Sequence, residues 1–103
     1  MPNFMKMMKQ AASMQKEMER VQGELAQKTV EFSSGGGMVK AIARGDGTLA
    51  SLRIDPKVVN PAEVDLLEDL VTAAVGGALQ AAKEMAAQEL GKVTAGLGIP
   101  GLG

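Results

Sequence analysis

The stretch TVEFSSGGGMVKAIARGDGTLASLRI, residues 29–54, decides the fold because its short apolar runs are separated by glycine-rich turns. Runs with alternating apolar residues and β-branched side chains are typical of strands. The pattern predicts three strands, at residues 29–33, 38–44 and 49–54. The connection GDGT (45–48) suits the positive φ angles of a tight hairpin, and such short connections predict an antiparallel meander.

A long helix is predicted on each side of this meander. Asn3 is a candidate N-cap for the first helix, which the spacing of apolar residues puts at residues 3–27. The motif NPAE (60–63) starts the second helix, at residues 61–90, with Asn as the cap and Pro in the first helical position. Two consecutive glycines inside it, residues 76–77, cost about 1 kcal/mol each relative to alanine and indicate a close approach of another group.

Composition limits both the architecture and the chemistry. Residues 91–103 contain five glycines and a proline, which predicts a flexible tail after one α+β domain at residues 1–90, in the order α-β-β-β-α. Cysteine and histidine are both absent, so thiolate and imidazole metal ligands and the commonest catalytic bases are missing. We therefore expect no enzyme, no metal and no cofactor. Because the longest apolar run is too short to span a bilayer, we expect a cytoplasmic protein without membrane contact.

The apolar residues of the first helix recur in steps of three and four, as in a heptad seam. Its members are Phe4, Met7, Ala11, Met14, Met18, Val21 and Leu25. The helix should be about 36 Å long, whereas three strands of this length form a sheet about 20 Å long. The helix must therefore overhang the sheet, although its seam stays apolar to its first turn. We predict a homodimer in which the seam contributes to both core and dimer contact.

Six of the eight methionines lie in the first eighteen residues, and they have three possible uses. Thioethers bind soft ions such as Cu(I). A methionine-rich face bordered by lysines also suits a membrane surface. Methionine is equally a flexible packing residue for contacts between helices. Since Met7, Met14 and Met18 already occupy seam positions, the sequence favours the packing use over the other two.

Four cations lie on the side of the first helix that faces away from the seam: Lys6, Lys9, Lys16 and Arg20. One interpretation is an ordinary solvated face, because exposed helices commonly carry such residues. No acidic residue occurs through residue 16, however, which leaves a basic stripe. The stripe is therefore a candidate site for the backbone phosphates of DNA, present twice in a symmetric dimer. No base-reading motif accompanies it, so the expected sequence selectivity is low.

Across most of its length the chain resembles the YbaB/EbfC family of bacterial nucleoid-associated proteins. The matching stretches are MKQAASMQKEMERVQGELA, GGGMVKAIARGDGTLASLRIDP, LLEDLVTAAVGGALQAAKE and the tail GLGIPGLG. The resemblance implies a tweezer-like homodimer that binds DNA and affects nucleoid organisation and gene expression. It also implies a location in the nucleoid and a link to recombination-repair or replication proteins.

A second hypothesis belongs to a different functional class. The methionine-rich face of the first helix is also typical of a surface that captures a partner helix, for example from the replication or repair machinery. Contact with DNA would then be incidental. Salt-sensitive binding to unrelated duplexes favours the first hypothesis, whereas nuclease-resistant capture of a protein favours the second.

Overall fold

The computed structural model describes residues 3–96, and within them the α+β order of helix, three antiparallel strands and helix is confirmed. The two helices are α1 (Phe4–Leu25) and α2 (Val64–Gly96), and the strands are β1 (Thr29–Ser34), β2 (Val39–Arg44) and β3 (Leu49–Ile54). Short 3-10 turns lie at Gly35–Gly37, Pro56–Val58 and Pro61–Glu63. The sheet order is β1-β2-β3, so β2 is central and two edges are open.

Local chemistry explains where α1 begins and ends. The side chain of Asn3 accepts a hydrogen bond from the backbone N–H of Lys6 at 3.2 Å, as the N-cap prediction required. At the other end, the N–H groups of Gln27 and Lys28 both donate to the carbonyl of Glu24, at 3.0 Å. This tight turn directs the chain into β1, and the helix therefore ends at Leu25, two residues before the predicted position.

The turns of the meander depend on glycine. Gly35, Gly36 and Gly37 have φ angles of 60°, 67° and 92°, which side-chain-bearing residues rarely adopt. They occupy the first connection, so β2 begins at Val39 rather than at residue 38. The second connection is the predicted tight hairpin, in which Gly47 has a φ of 88°.

The pairing of β2 with β3 is irregular at one point. Leu49 pairs with Ala43 and Ser51 with Ile42, which leaves Ala50 as an extra residue that kinks β3.

The main core is a thin contact between α2 and one face of the sheet. Alternate residues of the central strand meet a row of alanines spaced four apart on α2, and all six side chains are fully buried: Val39, Ala41, Ala43, Ala74, Ala78 and Ala82. Helix α2 covers β1 and β2 but barely reaches β3. As a result, Leu49, Leu52 and Ile54 on the same side of β3 stay exposed.

A second, smaller cluster extends α2 beyond its predicted end. Val21 and Leu25 of α1 pack with Val93, and Leu90 lies against this group. We predicted that the helix would stop near residue 90 and that a flexible tail would begin at Gly91, but α2 continues to Gly96. Contact with α1 offsets the cost of Gly91, and the tail prediction was wrong for these six residues. Residues 97–103 of the predicted tail lie outside the described part of the chain.

The glycine pair in α2 has an asymmetric role. A Cβ atom added to Gly77 would lie 2.6 Å from Cγ of Phe32 and closer still to the edge of its ring, whereas one added to Gly76 would meet nothing within 4 Å. The predicted close approach is therefore the packing of the Phe32 ring against the bare backbone at Gly77. This contact fixes the distance between α2 and β1.

We expect Gly77→Ala to lower the free energy of unfolding relative to Gly76→Ala by about 1–3 kcal/mol, because the new methyl group collides with the Phe32 ring. Gly76→Ala is the matched control and should stabilise the protein by about 0.5–1 kcal/mol, the usual gain in helix propensity. Urea unfolding followed by circular dichroism measures both. Equal stabilisation by the two variants would contradict the packing of Phe32 on Gly77.

Candidate nucleic-acid interface

Among residues 3–96, the contacts that anchor helix α1 lie in its C-terminal part. Val21 and Leu25 are buried against α2, and Met14 and Met18 are half-buried. Every residue from Asn3 to Ser13 is exposed, including the seam residues Phe4 and Met7. The structure thus divides the predicted seam into a core part and a free part, which lies on the overhanging half of the helix.

Three lysines lie on the side of α1 opposite the seam. Lys6, Lys9 and Lys16 are all exposed, and no acid of residues 3–96 forms an ion pair with any of them. The ten residue steps from Lys6 to Lys16 span about 15 Å along the helix axis. We call these three residues the lysine stripe. It is a row of exposed ammonium groups on a side of α1 that no other element of residues 3–96 covers.

Arg20 is the fourth cation of the predicted DNA contact, and its environment differs from that of the three lysines. Its guanidinium Nη2 lies 2.8 Å from Oε2 of Glu17, and its Nη1 lies 2.7 Å from Oε1 of Glu24. Hydrogen bonding to Arg20 lowers the pKa of Glu17, and the same two carboxylates raise the pKa of the arginine. Its charge is therefore matched locally, so an anion would have to compete with both carboxylates for it. The sequence signal for this pairing was the spacing of three and four residues.

The described residues contain nothing that indicates another chemistry. Within residues 3–96 no group of three or more His, Cys, Asp or Glu side chains is arranged to hold a metal ion. In the same range no helix is long and apolar enough to cross a membrane. The methionines at the start of α1 are individually exposed, with 65% of Met5 and 55% of Met7 accessible.

The fold and this surface define a class of protein: a small, elongated α+β chain that presents a cationic helix beside a three-stranded meander. Residues 1–97 match the YbaB/EbfC DNA-binding family. A nucleoid-associated protein of Thermoanaerobacter pseudethanolicus is 55% identical over 100 residues, covering 97% of this chain and 90% of the relative. One from Pelotomaculum thermopropionicum is 46% identical, covering 97% and 95%.

The fold has a counterpart among solved structures. The crystal structure of an uncharacterized protein from Helicobacter pylori superimposes with a TM-score of 0.73, covering 82% of this chain and 88% of that one, at 23% identity. The match over nearly the whole sequence shows that the chain belongs to the YbaB/EbfC DNA-binding family. The resemblance read from the sequence is thereby confirmed.

The pairing of Arg20 leads to a prediction about affinity. Glu17→Gln combined with Glu24→Gln releases the guanidinium and removes two carboxylates beside the lysine stripe. We expect duplex DNA to bind roughly three- to tenfold more tightly at moderate salt, because about one further phosphate contact becomes available. Fluorescence anisotropy with a labelled duplex measures the change.

The matched control is Glu63→Gln combined with Glu84→Gln, which changes the net charge equally on α2 and the turn before it. An equal gain in both double variants would mean that overall charge, rather than the release of Arg20, sets the affinity.

Proposed function

We propose that the protein is a non-enzymatic DNA-binding homodimer of the bacterial nucleoid and cytoplasm, in which two α1 helices hold the phosphate backbone of duplex DNA between or along them. Lys6, Lys9 and Lys16 make the principal contacts, and Arg20 joins them when it leaves Glu17 and Glu24. The observation that carries the proposal is the lysine stripe, which is exposed, unpaired and free of acids on a helix that overhangs its own fold.

The charge pattern of α1 favours phosphates over base edges. Ammonium groups on flexible side chains recognise phosphate as point charges and do not distinguish bases. No aromatic residue or helix-turn-helix accompanies the stripe within the described residues, apart from Phe4 on the opposite, seam side. We therefore expect binding to unrelated sequences with similar affinity and a strong dependence on salt, since each neutralised phosphate releases condensed counterions. Such binding suits a protein that organises DNA along its length.

Dimer formation is proposed from what a single chain leaves uncovered. The Cα radius of gyration is 19.7 Å, whereas a compact domain of about 100 residues has one near 13 Å. Apart from Phe32 on β1, the exposed large apolar side chains of the described residues lie in two places. One group is at the start of α1, namely Phe4, Met5, Met7 and Met8, and the other lies on β3 and the segment after it, namely Leu49, Leu52, Ile54, Val59, Val64 and Leu66. A second copy of the chain would cover both groups, with Met5 at the margin of the contact.

The lysine stripe can be tested by neutralisation. Lys6→Gln, Lys9→Gln and Lys16→Gln combined should make the slope of log affinity against log salt less steep by about 2.7 for each chain of the dimer that contacts DNA, which is 0.9 for each lost phosphate contact. Between about 50 and 200 mM salt, the three contacts of one chain account for roughly 40-fold of the affinity that the unmodified protein loses. Anisotropy titrations on mixed-sequence duplexes measure the slope.

The control for that experiment is Lys57→Gln, Lys83→Gln and Lys92→Gln, three exposed cations on other elements. This variant has the same net charge as the stripe variant but should keep nearly the full slope. If the stripe variant and the unmodified protein are both dimeric and show identical slopes, α1 is not the DNA contact.

The dimer contact has its own matched pair of variants. Met7 lies on the seam and Met5 on the flank of the same helix turn, and both are more than half exposed in the single chain. Met7→Glu should weaken the dimer at least tenfold, because it places a charge in an apolar contact, whereas Met5→Glu should leave it nearly unchanged. Sedimentation equilibrium at micromolar concentration measures this. A monomeric unmodified protein would refute the dimer.

The exposed methionines support a second candidate function, capture of a partner helix from the recombination-repair or replication machinery. In that case Met7→Glu would abolish capture of a partner after nuclease treatment while leaving the oligomeric state unchanged. The Met7→Glu variant therefore distinguishes the two functions, because the leading proposal expects this variant to lose the dimer.

A further inference from the structure

The face of the sheet turned away from α2 carries a second group of cations. Along β2, Lys40, Ile42 and Arg44 alternate with the three buried residues of the core, so they lie on the uncovered face. The register places Arg53 of β3 directly opposite Lys40 on this face. Glu31 of β1 lies opposite Ile42 and is the acidic member of the face. We call Lys40, Arg44 and Arg53 the sheet cations.

The pairing of Lys40 with Arg53 has an energetic cost within the fold. Like charges at directly opposed positions of neighbouring strands destabilise a sheet. No acid among residues 3–96 forms an ion pair with either residue or with Arg44, whose Nη1 contacts the hydroxyl of Thr48 at 3.4 Å. Asp55 lines the same shallow depression as Lys40 and Arg53, but its Oδ1 accepts the backbone N–H of Lys57 at 2.9 Å. The Asp55 carboxylate therefore reduces the repulsion from nearby, but no direct ion pair among the described residues relieves it.

The charge of this face is opposite in sign to that of the whole protein. Three cations on the face, with Glu31 on it and Asp55 at its edge, give it a net charge of +1, whereas the chain carries −1. Lys40 and Arg53 have Cα atoms about 5 Å apart across the strands, and Lys40 and Arg44 are about 13 Å apart along β2. A concentrated cationic face on a slightly acidic protein is suited to a polyanion and is not explained by solubility.

A second copy of this chain is a poor occupant for the same surface. In a symmetric face-to-face contact, six sheet cations would outnumber the two Glu31 and two Asp55 carboxylates, and Ile42 would be the one large apolar side chain that each copy contributes. Buried unpaired charges of one sign are strongly unfavourable. The exposed apolar groups of α1 and β3 are better dimer contacts, which would leave the sheet cations facing solvent in the assembly.

We propose that the sheet cations form a second binding surface for the phosphate backbone of duplex DNA, separate from the lysine stripe. This inference rests on the proposed function, since it assumes a protein that binds duplex DNA. The partner is identified by its chemistry: closely spaced anionic groups that reach Lys40 and Arg53 together and Arg44 at the other end of the strand. Two such surfaces on one protein would allow a dimer to contact more than one segment of duplex.

The test compares three variants that lose the same charge. Lys40→Gln, Arg44→Gln and Arg53→Gln combined should reduce the slope of log affinity against log salt by about 2 to 3 in titrations with a mixed-sequence duplex. The stripe variant should reduce it separately, and the two losses should add. The control is again Lys57→Gln, Lys83→Gln and Lys92→Gln, which should keep nearly the full slope.

The outcomes separate the two proposals. If the unmodified protein binds duplex DNA and the sheet variant keeps the full slope, the sheet inference is wrong and the proposed function stands. If the unmodified protein does not bind duplex DNA at low salt, the proposed function fails and this inference fails with it. Circular dichroism and sedimentation verify that each variant is folded and in the same oligomeric state.

A second measurement does not depend on the stability of the triple variant. Because the chain contains no cysteine, Ser51→Cys creates a single thiol in the middle of the sheet face, next to Ile42. A photo-crosslinker on this thiol should attach to duplex DNA, and high salt should abolish the product. The control Ala62→Cys places the same probe on an exposed site next to Glu63 and should give none. Equal crosslinking from both sites, or none from Ser51→Cys when DNA is bound, would overturn the inference.

Discussion

The whole arrangement depends on the close contact between the alanines of α2 and the central strand of the sheet. Ala74, Ala78 and Ala82 let the helix backbone approach Val39, Ala41 and Ala43, and Gly77 lets the Phe32 ring lie against the same helix. Each buried alanine methyl contributes only about 0.8 kcal/mol, less than half of what a buried leucine provides. The contact therefore fixes geometry more than it supplies stability, and it covers only two of the three strands.

The small residues on α2 explain which surfaces of the chain stay uncovered. A narrow helix centred on β1 and β2 leaves the inner side of β3 open, and a sheet of six-residue strands is too short to cover a helix of 22 residues. Within residues 3–96, only the C-terminal part of α1 is packed, in the cluster of Val21, Leu25 and Val93. The apolar remainder of α1 and of β3 is exposed in the single chain. Because the single chain covers so little of α1 and of the sheet, both cationic surfaces stay accessible. The same exposure supports the proposed dimer.

Much of the fold could be predicted because its signals are local. Glycine-rich turns limit the strands, and Asn3 caps α1 through one hydrogen bond of the predicted kind. The end of α2 was missed because Leu90 and Val93 are held by α1, a contact between residues more than 60 positions apart in sequence. The pairing of Arg20 was readable from the positions of Glu17 and Glu24 and was overlooked. The group of sheet cations could be recognised only from the strand register, because the pairing of Lys40 with Arg53 brings them together.

The two cationic surfaces reconcile an acidic protein with a polyanionic partner. Salt at physiological concentration screens charges beyond about 8 Å, so a phosphate group responds to the nearest few side chains rather than to the net charge of −1. What matters is therefore local segregation: α1 has no acid before Glu17, and the acids of the chain's second half concentrate where α2 begins. That acidic region also complements the positive end of the helix dipole. The carboxylates thus stabilise α2 where they lie, while the surfaces proposed to contact phosphate carry few of them.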